Sequence, residues 1–112
     1  MGTNQQANLV RVLIERLRAH AELGDLTQAK RIAQTAVAAT RRAAEKHNEG
    51  GPQMIDALRA LANVHVREGD LSIALSNYQE ALKISTGNQY VSRLQVAVLK
   101  ADYATALDAV GD

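Results

Sequence analysis

Hydrophobic residues recur at spacings of three and four along most of this chain, the period of one face of an α-helix. Leu9, Val12, Leu13, Arg16, Leu17, His20 and Leu23 form the first such stripe and predict a helix over about residues 6–23, ended by Gly24. Asp25, with Gln28 three residues on, has the capping-box pattern that starts a second helix at Leu26. That helix carries the stripe Ala29, Ile32, Ala33, Ala36, Val37, Thr40 and Ala44 and is expected to end near His47. Gly50-Gly51-Pro52 is the clearest break, because glycine is a poor helix former and proline is tolerated only in a first turn. A third helix from Pro52 buries Ile55, Leu58, Leu61, Ala62, His65 and Val66, and Gly69-Asp70 stops it as Gly24-Asp25 stops the first. A fourth carries Leu71, Ala74, Leu75, Tyr78, Ala81, Leu82 and Ile84 and ends at Ser85-Thr86-Gly87-Asn88. From Gln89 to Val110 no Gly or Pro intervenes, and Val91, Leu94, Val98, Leu99, Tyr103, Ala106, Leu107 and Val110 predict one long closing helix. A break at Lys100-Ala101-Asp102 is the competing reading of that segment.

Two stretches of this pattern are copies of one another. Ala19-His20-Ala21-Glu22-Leu23-Gly24-Asp25-Leu26 and Val64-His65-Val66-Arg67-Glu68-Gly69-Asp70-Leu71 stand 45 residues apart, and Gly111-Asp112 gives a weaker third echo 42 residues on. A continuous closing helix keeps this period, whereas a break at Asp102 shortens it. Fixed periods of this size mark stacked helical units, whose surfaces bind more often than they catalyse. Gly24 and Gly69 are expected at positive φ, so Gly69→Val is expected to cost more stability than Gly50→Val.

Composition narrows the class. The 112 residues suffice for one domain, without Phe, Trp or Cys, and the Ala and Leu content favours close-packed helices over a sheet. The formal charge of +1 gives no general attraction to polyanions. Residues 1–50 hold eight basic against five acidic side chains and residues 51–112 five against seven, too mild an asymmetry to imply nucleic acid. No apolar run approaches a membrane span, and residues 1–8 form a polar arm without the apolar centre of a signal peptide, so the expected compartment is the cytoplasm. A disulfide framework and thiolate metal sites are excluded by the lack of cysteine.

The segment from Ala57 to Leu82 resembles a tetratricopeptide repeat, with its large residue at Leu61, small at Ala62, glycine at Gly69, small at Ala74, aromatic at Tyr78 and small at Ala81. The first copy matches at Leu17, Gly24, Ala29 and Ala36, but has Arg16 for the large apolar residue and Ala33 for the aromatic. Its period exceeds the family's usual length and is similar to the longer repeats of kinesin light chains and spindle-orientation adaptors. The resemblance covers nearly all of residues 9–112 and implies an all-α, right-handed superhelical solenoid. Its units would be a repeat over about 9–48, a second over about 52–86 and a closing helix over about 89–110.

It also implies a concave groove lined by the first, third and fifth helices. Transferred by register, the groove takes Arg11, Ile14, Arg18, Ala21 and Glu22 from the first helix and Asp56, Arg59, Asn63, Val66 and Arg67 from the third. The closing helix would add Val98, Ala101, Asp102, Thr105 and Asp108. The binding candidates are Arg18, Arg59, Asn63 and Arg67, with the Asn63 amide suited to a peptide backbone and Arg59 to a carboxylate. Asp102 and Val98 stand where the carboxylate clamp of chaperone-binding members wants amide or basic groups, so a chaperone tail is disfavoured.

No catalytic constellation emerges. His20 and His65 share a position at which the family packs an aromatic residue and read as packing groups rather than metal ligands, and His47 reads as a helix-end residue. Gly50-Gly51-Pro52 lacks the features of a phosphate loop. Arg41-Arg42 reads as a solvated face. The expectation is therefore a non-enzymatic adaptor, without cofactor or metal, that binds a protein segment with acidic residues. A sensor module answering to a peptide or small ligand and a structural self-association unit remain as alternatives. Weak two-fold dimerisation through a terminal helix is expected from the apolar end of the closing helix.

Overall fold

In a computed structural model that describes residues 2–47 and 51–111, with side chains over 8–44 and 51–111, the chain is all-α. Five helices and no strand are present among the described residues: α1 (Gly2–Glu22), α2 (Leu26–His47), α3 (Gly51–Glu68), α4 (Leu71–Ser85) and α5 (Arg93–Gly111). Helix α1 begins at Gly2, so the polar segment expected to form an arm is part of the helix. Helix α5 is continuous through Lys100-Ala101-Asp102.

The turns that separate the helices are set locally. After α1, the Asp25 N–H donates to the His20 carbonyl at 2.8 Å and the Gly24 N–H to the Ala21 carbonyl at 3.0 Å. After α3, Asp70 donates to His65 at 2.9 Å and Gly69 to Val66 at 3.1 Å. These pairs are the two bonds of a Schellman motif, which needs a left-handed residue between helix and exit. Gly24 and Gly69 supply it at φ +83° and +86°, as the sequence predicts. Gly50, the intended comparison position, lies outside the described residues.

The helices pack as two layers. Each helix packs on the next, and α1 also touches α3, as α3 touches α5. The even helices therefore lie across the seams between the odd ones. Ala29, Ala33 and Ala36 on α2 and Ala74 and Ala81 on α4 are fully buried at these crossings, where small side chains let helix axes approach closely. Helix α3 has neighbours on every side, and Met54, Ile55, Ala57, Leu58, Leu61, Ala62, Val64 and His65 are all buried. Arg41 of α2 reaches Glu80 of α4 with two hydrogen bonds, of 2.7 and 2.9 Å. Tyr78 of α4 packs against Tyr103 of α5 with ring centroids 5.9 Å apart. No helix among the described residues is long and apolar enough to cross a membrane.

Three sequence expectations need correction. The buried stripe of α1 is Val10, Ile14, Leu17 and Ala21 with Leu13, while Leu9, Val12 and Leu23 are exposed. Both stripes satisfy the helical period, but packing against α2 and α3 together turns the buried arc by roughly a quarter of the helix circumference. Helix α5 starts at Arg93 rather than Gln89. Its start is fixed by a capping box in which the Gln95 N–H donates to Ser92 Oγ at 3.0 Å and the Ser92 N–H to Gln95 Oε1 at 3.3 Å. Leu94, Leu107 and Val110 of the expected α5 stripe are exposed.

Candidate functional site

Helices α1 and α3 face each other across an open groove of about 790 Å3. Its floor is apolar, from Val10, Leu17, Ala21 and Val64, and its walls are polar because Arg11, Arg18, Glu22 and Asn63 each stand one position from a floor residue, about 100° around the helix from it. Arg11, Glu15, Arg18 and Glu22 alternate in charge along the α1 wall, opposite Asp56, Arg59, Asn63 and Arg67 on α3. All four candidate binding residues line this groove, and of the other positions transferred to α1 and α3 only Val66 does not. The α5 positions of the expected groove do not line it.

The four candidates divide into two pairs. Arg18 and Arg67 are exposed and carry no ion pair among the described residues. Arg59 and Asn63 are half-buried and turned toward α5: Arg59 Nε donates to Asp102 Oδ2 at 2.6 Å and Asn63 Nδ2 to the same oxygen at 3.1 Å. The Tyr78 hydroxyl donates to Asn63 Oδ1 from the α4 side. Both ends of the Asn63 amide are thus engaged within the chain. One amide hydrogen is left over, so the transferred role of Asn63 as a free donor and acceptor for peptide backbone is not available in this arrangement.

This quartet ties α3, α4 and α5 together. Tyr78 is 1% exposed, and burial, with the Asp102 carboxylate adding and the Arg59 guanidinium opposing, raises its pKa from the usual 10.0 to about 12. The phenol is therefore neutral near physiological pH and acts as a donor. The charge-assisted Arg59–Asp102 bond, 2.6 Å long, replaces water for both partners at the α3–α5 seam. A second link fixes the same register, where Gln95 Nε2 donates to Asp56 Oδ1 at 3.0 Å and to the Pro52 carbonyl at 3.1 Å. Asp56 to Gln95 and Asn63 to Asp102 are both separations of 39 residues, so α3 and α5 run parallel with one register along the seam. Register places Asp102 in the groove, whereas the structure makes it the acceptor that holds Arg59 and Asn63, a pairing that no local pattern in the sequence marks.

The histidines occupy equivalent places in the two turns. His65 is buried, as its packing position predicts, and His20 is half-exposed. The side chain of His47, the last residue of α2, lies outside the described ones.

No protein-family model, curated protein or solved structure matches the chain. Fold and groove define an all-α protein of packed helices with an open groove between α1 and α3.

Proposed function

We propose that the chain is a cytoplasmic adaptor of the tetratricopeptide type, whose α1–α3 groove holds a segment of another protein. The observation that carries this reading is the groove itself, an apolar floor between two walls of charged side chains, with Arg18 and Arg67 both solvent-facing and unpaired among the described residues. The 45-residue repeat, the glycine turns and the buried alanines of the even helices support the tetratricopeptide arrangement. Arg18 and Arg67, with Arg11 further along α1, would pair with acidic side chains of the bound segment, while Arg59 and Asn63 keep α5 in register and shape the wall.

The test is affinity capture followed by direct binding of the captured segment, for wild type, Arg18→Glu, Arg67→Glu and Lys83→Glu. Binding is expected to fall on reversal at Arg18 or Arg67, to weaken with salt and to survive reversal of Lys83, which is exposed on α4. Arg41 is unsuited as a control because it is bonded to Glu80. Binding that survives both groove reversals and is lost with Lys83→Glu would move the site to the even-helix face.

A second reading, self-association, is favoured by the outer face of α5. Leu94 is 73% exposed and Ala97, Ala101 and Ala104 continue its stripe, opposite the buried Leu99 and Ala106. Antiparallel pairing of two copies would set Arg93 against the partner's Asp108. It would also relieve their unfavourable places at the positive and negative ends of one helix dipole. Sedimentation decides it: a concentration-dependent dimer abolished by Ala101→Glu is expected, and a monomer at high concentration removes the reading.

A further inference from the structure

The turn between α3 and α4 brings together three acceptor atoms that the turn itself does not need. His65 occupies the last turn of α3 with a side chain only 9% exposed, and its Nδ1 has no hydrogen-bond partner. That nitrogen faces Glu68 Oε1 at 3.6 Å and Asp70 Oδ2 at 3.8 Å. Glu68 Oε1 is itself buried without a hydrogen bond. Buried polar atoms of native proteins are nearly always satisfied, so two unpartnered ones pointing at each other call for a shared partner. The separations are too long for hydrogen bonds, even with a proton on the ring nitrogen. They suit a shared ion instead, because ligand atoms each about 2.1 Å from one metal lie roughly 3.4 Å or more apart. All three atoms lie within 4.8 Å of one another.

We propose that His65 Nδ1, Glu68 Oε1 and Asp70 Oδ2 form a site for a divalent transition-metal ion of the zinc class, with water completing its coordination. One imidazole and two carboxylates without thiolate suit zinc, nickel or cobalt, whereas calcium requires six or more oxygens and magnesium a regular oxygen octahedron. Two further features agree with a cation here. The site lies at the C-terminal end of α3, where the helix dipole is negative. The Asp70 carboxylate makes no capping bond to α4, whereas the matching Asp25 accepts the Gln28 N–H at 3.2 Å. Lys30 Nζ, 3.2 Å from Glu68 Oε2, holds the carboxylate so that Oε1 turns to His65, and its charge weakens binding of an ion.

The molecule contains its own control. In the α1–α2 turn the His20–Asp25 pair recurs, with Nδ1 and Oδ2 3.6 Å apart, but the place of Glu68 is taken by Leu23, 84% exposed. That turn offers two ligands and no third.

The experiment titrates the metal-stripped 112-residue chain with zinc chloride by calorimetry and follows thermal unfolding in parallel, with magnesium and calcium chlorides alongside. One equivalent of zinc is expected to bind and raise the melting temperature, with no comparable shift from the other two ions. Loss of an outer-shell partner already weakens metal sites about 10–100-fold, so Glu68→Gln and Asp70→Asn, which preserve size, should each lose at least tenfold. Leu23→Glu should add a second equivalent. A wild type that takes up no zinc saturably below millimolar concentration would overturn the proposal. So would zinc binding unchanged by Glu68→Gln and Asp70→Asn, or an equal shift with magnesium or calcium.

Discussion

The α1–α2 and α3–α4 hairpins are built on one pattern 45 residues apart and end up in different surroundings. Where the pattern repeats a residue type at the turns, the backbone repeats with it. His20 and His65, Gly24 and Gly69, and Asp25 and Asp70 make the same turn with the same pair of backbone bonds. Ala29 with Ala74 and Ala36 with Ala81 are buried alike at the helix crossings. Where the copies differ, the neighbours differ. Ile14, Arg18 and Ala33 of the first hairpin correspond to Arg59, Asn63 and Tyr78 of the second, and only the second has α5 beside it to supply Asp102. The polar network is thus an answer to the α3–α5 seam, while the turns need nothing beyond their own residues.

The largest difference between the hairpins should come from burial. Leu58 is fully buried in α3, and Leu58→Ala should cost about 2–5 kcal/mol through lost transfer energy and the cavity left behind. Leu13, its counterpart in α1, is half-buried with one side open, so Leu13→Ala should cost clearly less. Urea unfolding of the two variants measures both, and equal losses would mean that α1 is enclosed as fully as α3.

The glycines should behave as equals. A Cβ at Gly24 or at Gly69 meets no atom within 4 Å, so the penalty of Gly→Ala is that of the left-handed backbone alone, about 1–2 kcal/mol at each. Unequal midpoints for Gly24→Ala and Gly69→Ala would show that the turns are less alike than their hydrogen bonds.

The aspartates that follow them should not behave as equals. Asp25 caps α2 through the Gln28 N–H, and its replacement by Ala should cost about 1 kcal/mol. Asp70 makes no such bond, so in metal-free buffer Asp70→Ala should cost less than Asp25→Ala. Thermal denaturation of the pair with chelator present checks the order.

Those differences show what a sequence carries openly. Helix number and the Gly-Asp turns could be read from caps, breakers and period because each depends on residues within a few positions of one another. The Ser92-Arg93-Leu94-Gln95 box is equally local, and it marks the start of α5 more accurately than the hydrophobic stripe from Gln89 does. The rotation of the buried face of α1 was not local. Leu9–Leu13–Leu17 and Val10–Ile14–Leu17 have the same period, and only the positions of α2 and α3 choose between them. The division of Arg18 and Arg67 from Arg59 and Asn63 was equally hidden, because it depends on Asp102, 39 residues beyond Asn63. The third acceptor beside His65 was visible as Glu68, but its convergence with Asp70 needs the left-handed turn of Gly69 that folds one carboxylate back toward the other.

A last expected difference appears only in alkali and belongs to the second hairpin alone. Tyr78 ionises near pH 12 in the folded chain because burial and the Asp102 carboxylate oppose the phenolate more than Arg59 favours it, against about 10.0 when unfolded. A raised pKa means that folding favours the neutral phenol, so the contribution is complete below about pH 10 and is lost as pH rises through 12. The phenolate would also lose the hydrogen that Tyr78 donates to Asn63 and face the Asp102 carboxylate, loosening the α3–α5 seam. Ala33 holds the equivalent place in the first hairpin and cannot titrate. Wild type and Tyr78→Phe should therefore diverge in urea midpoint across the alkaline range, with the wild type falling more steeply. Lysine deprotonation is common to both and cancels in the difference, so parallel curves would show that the Tyr78 phenol ionises as freely in the fold as out of it.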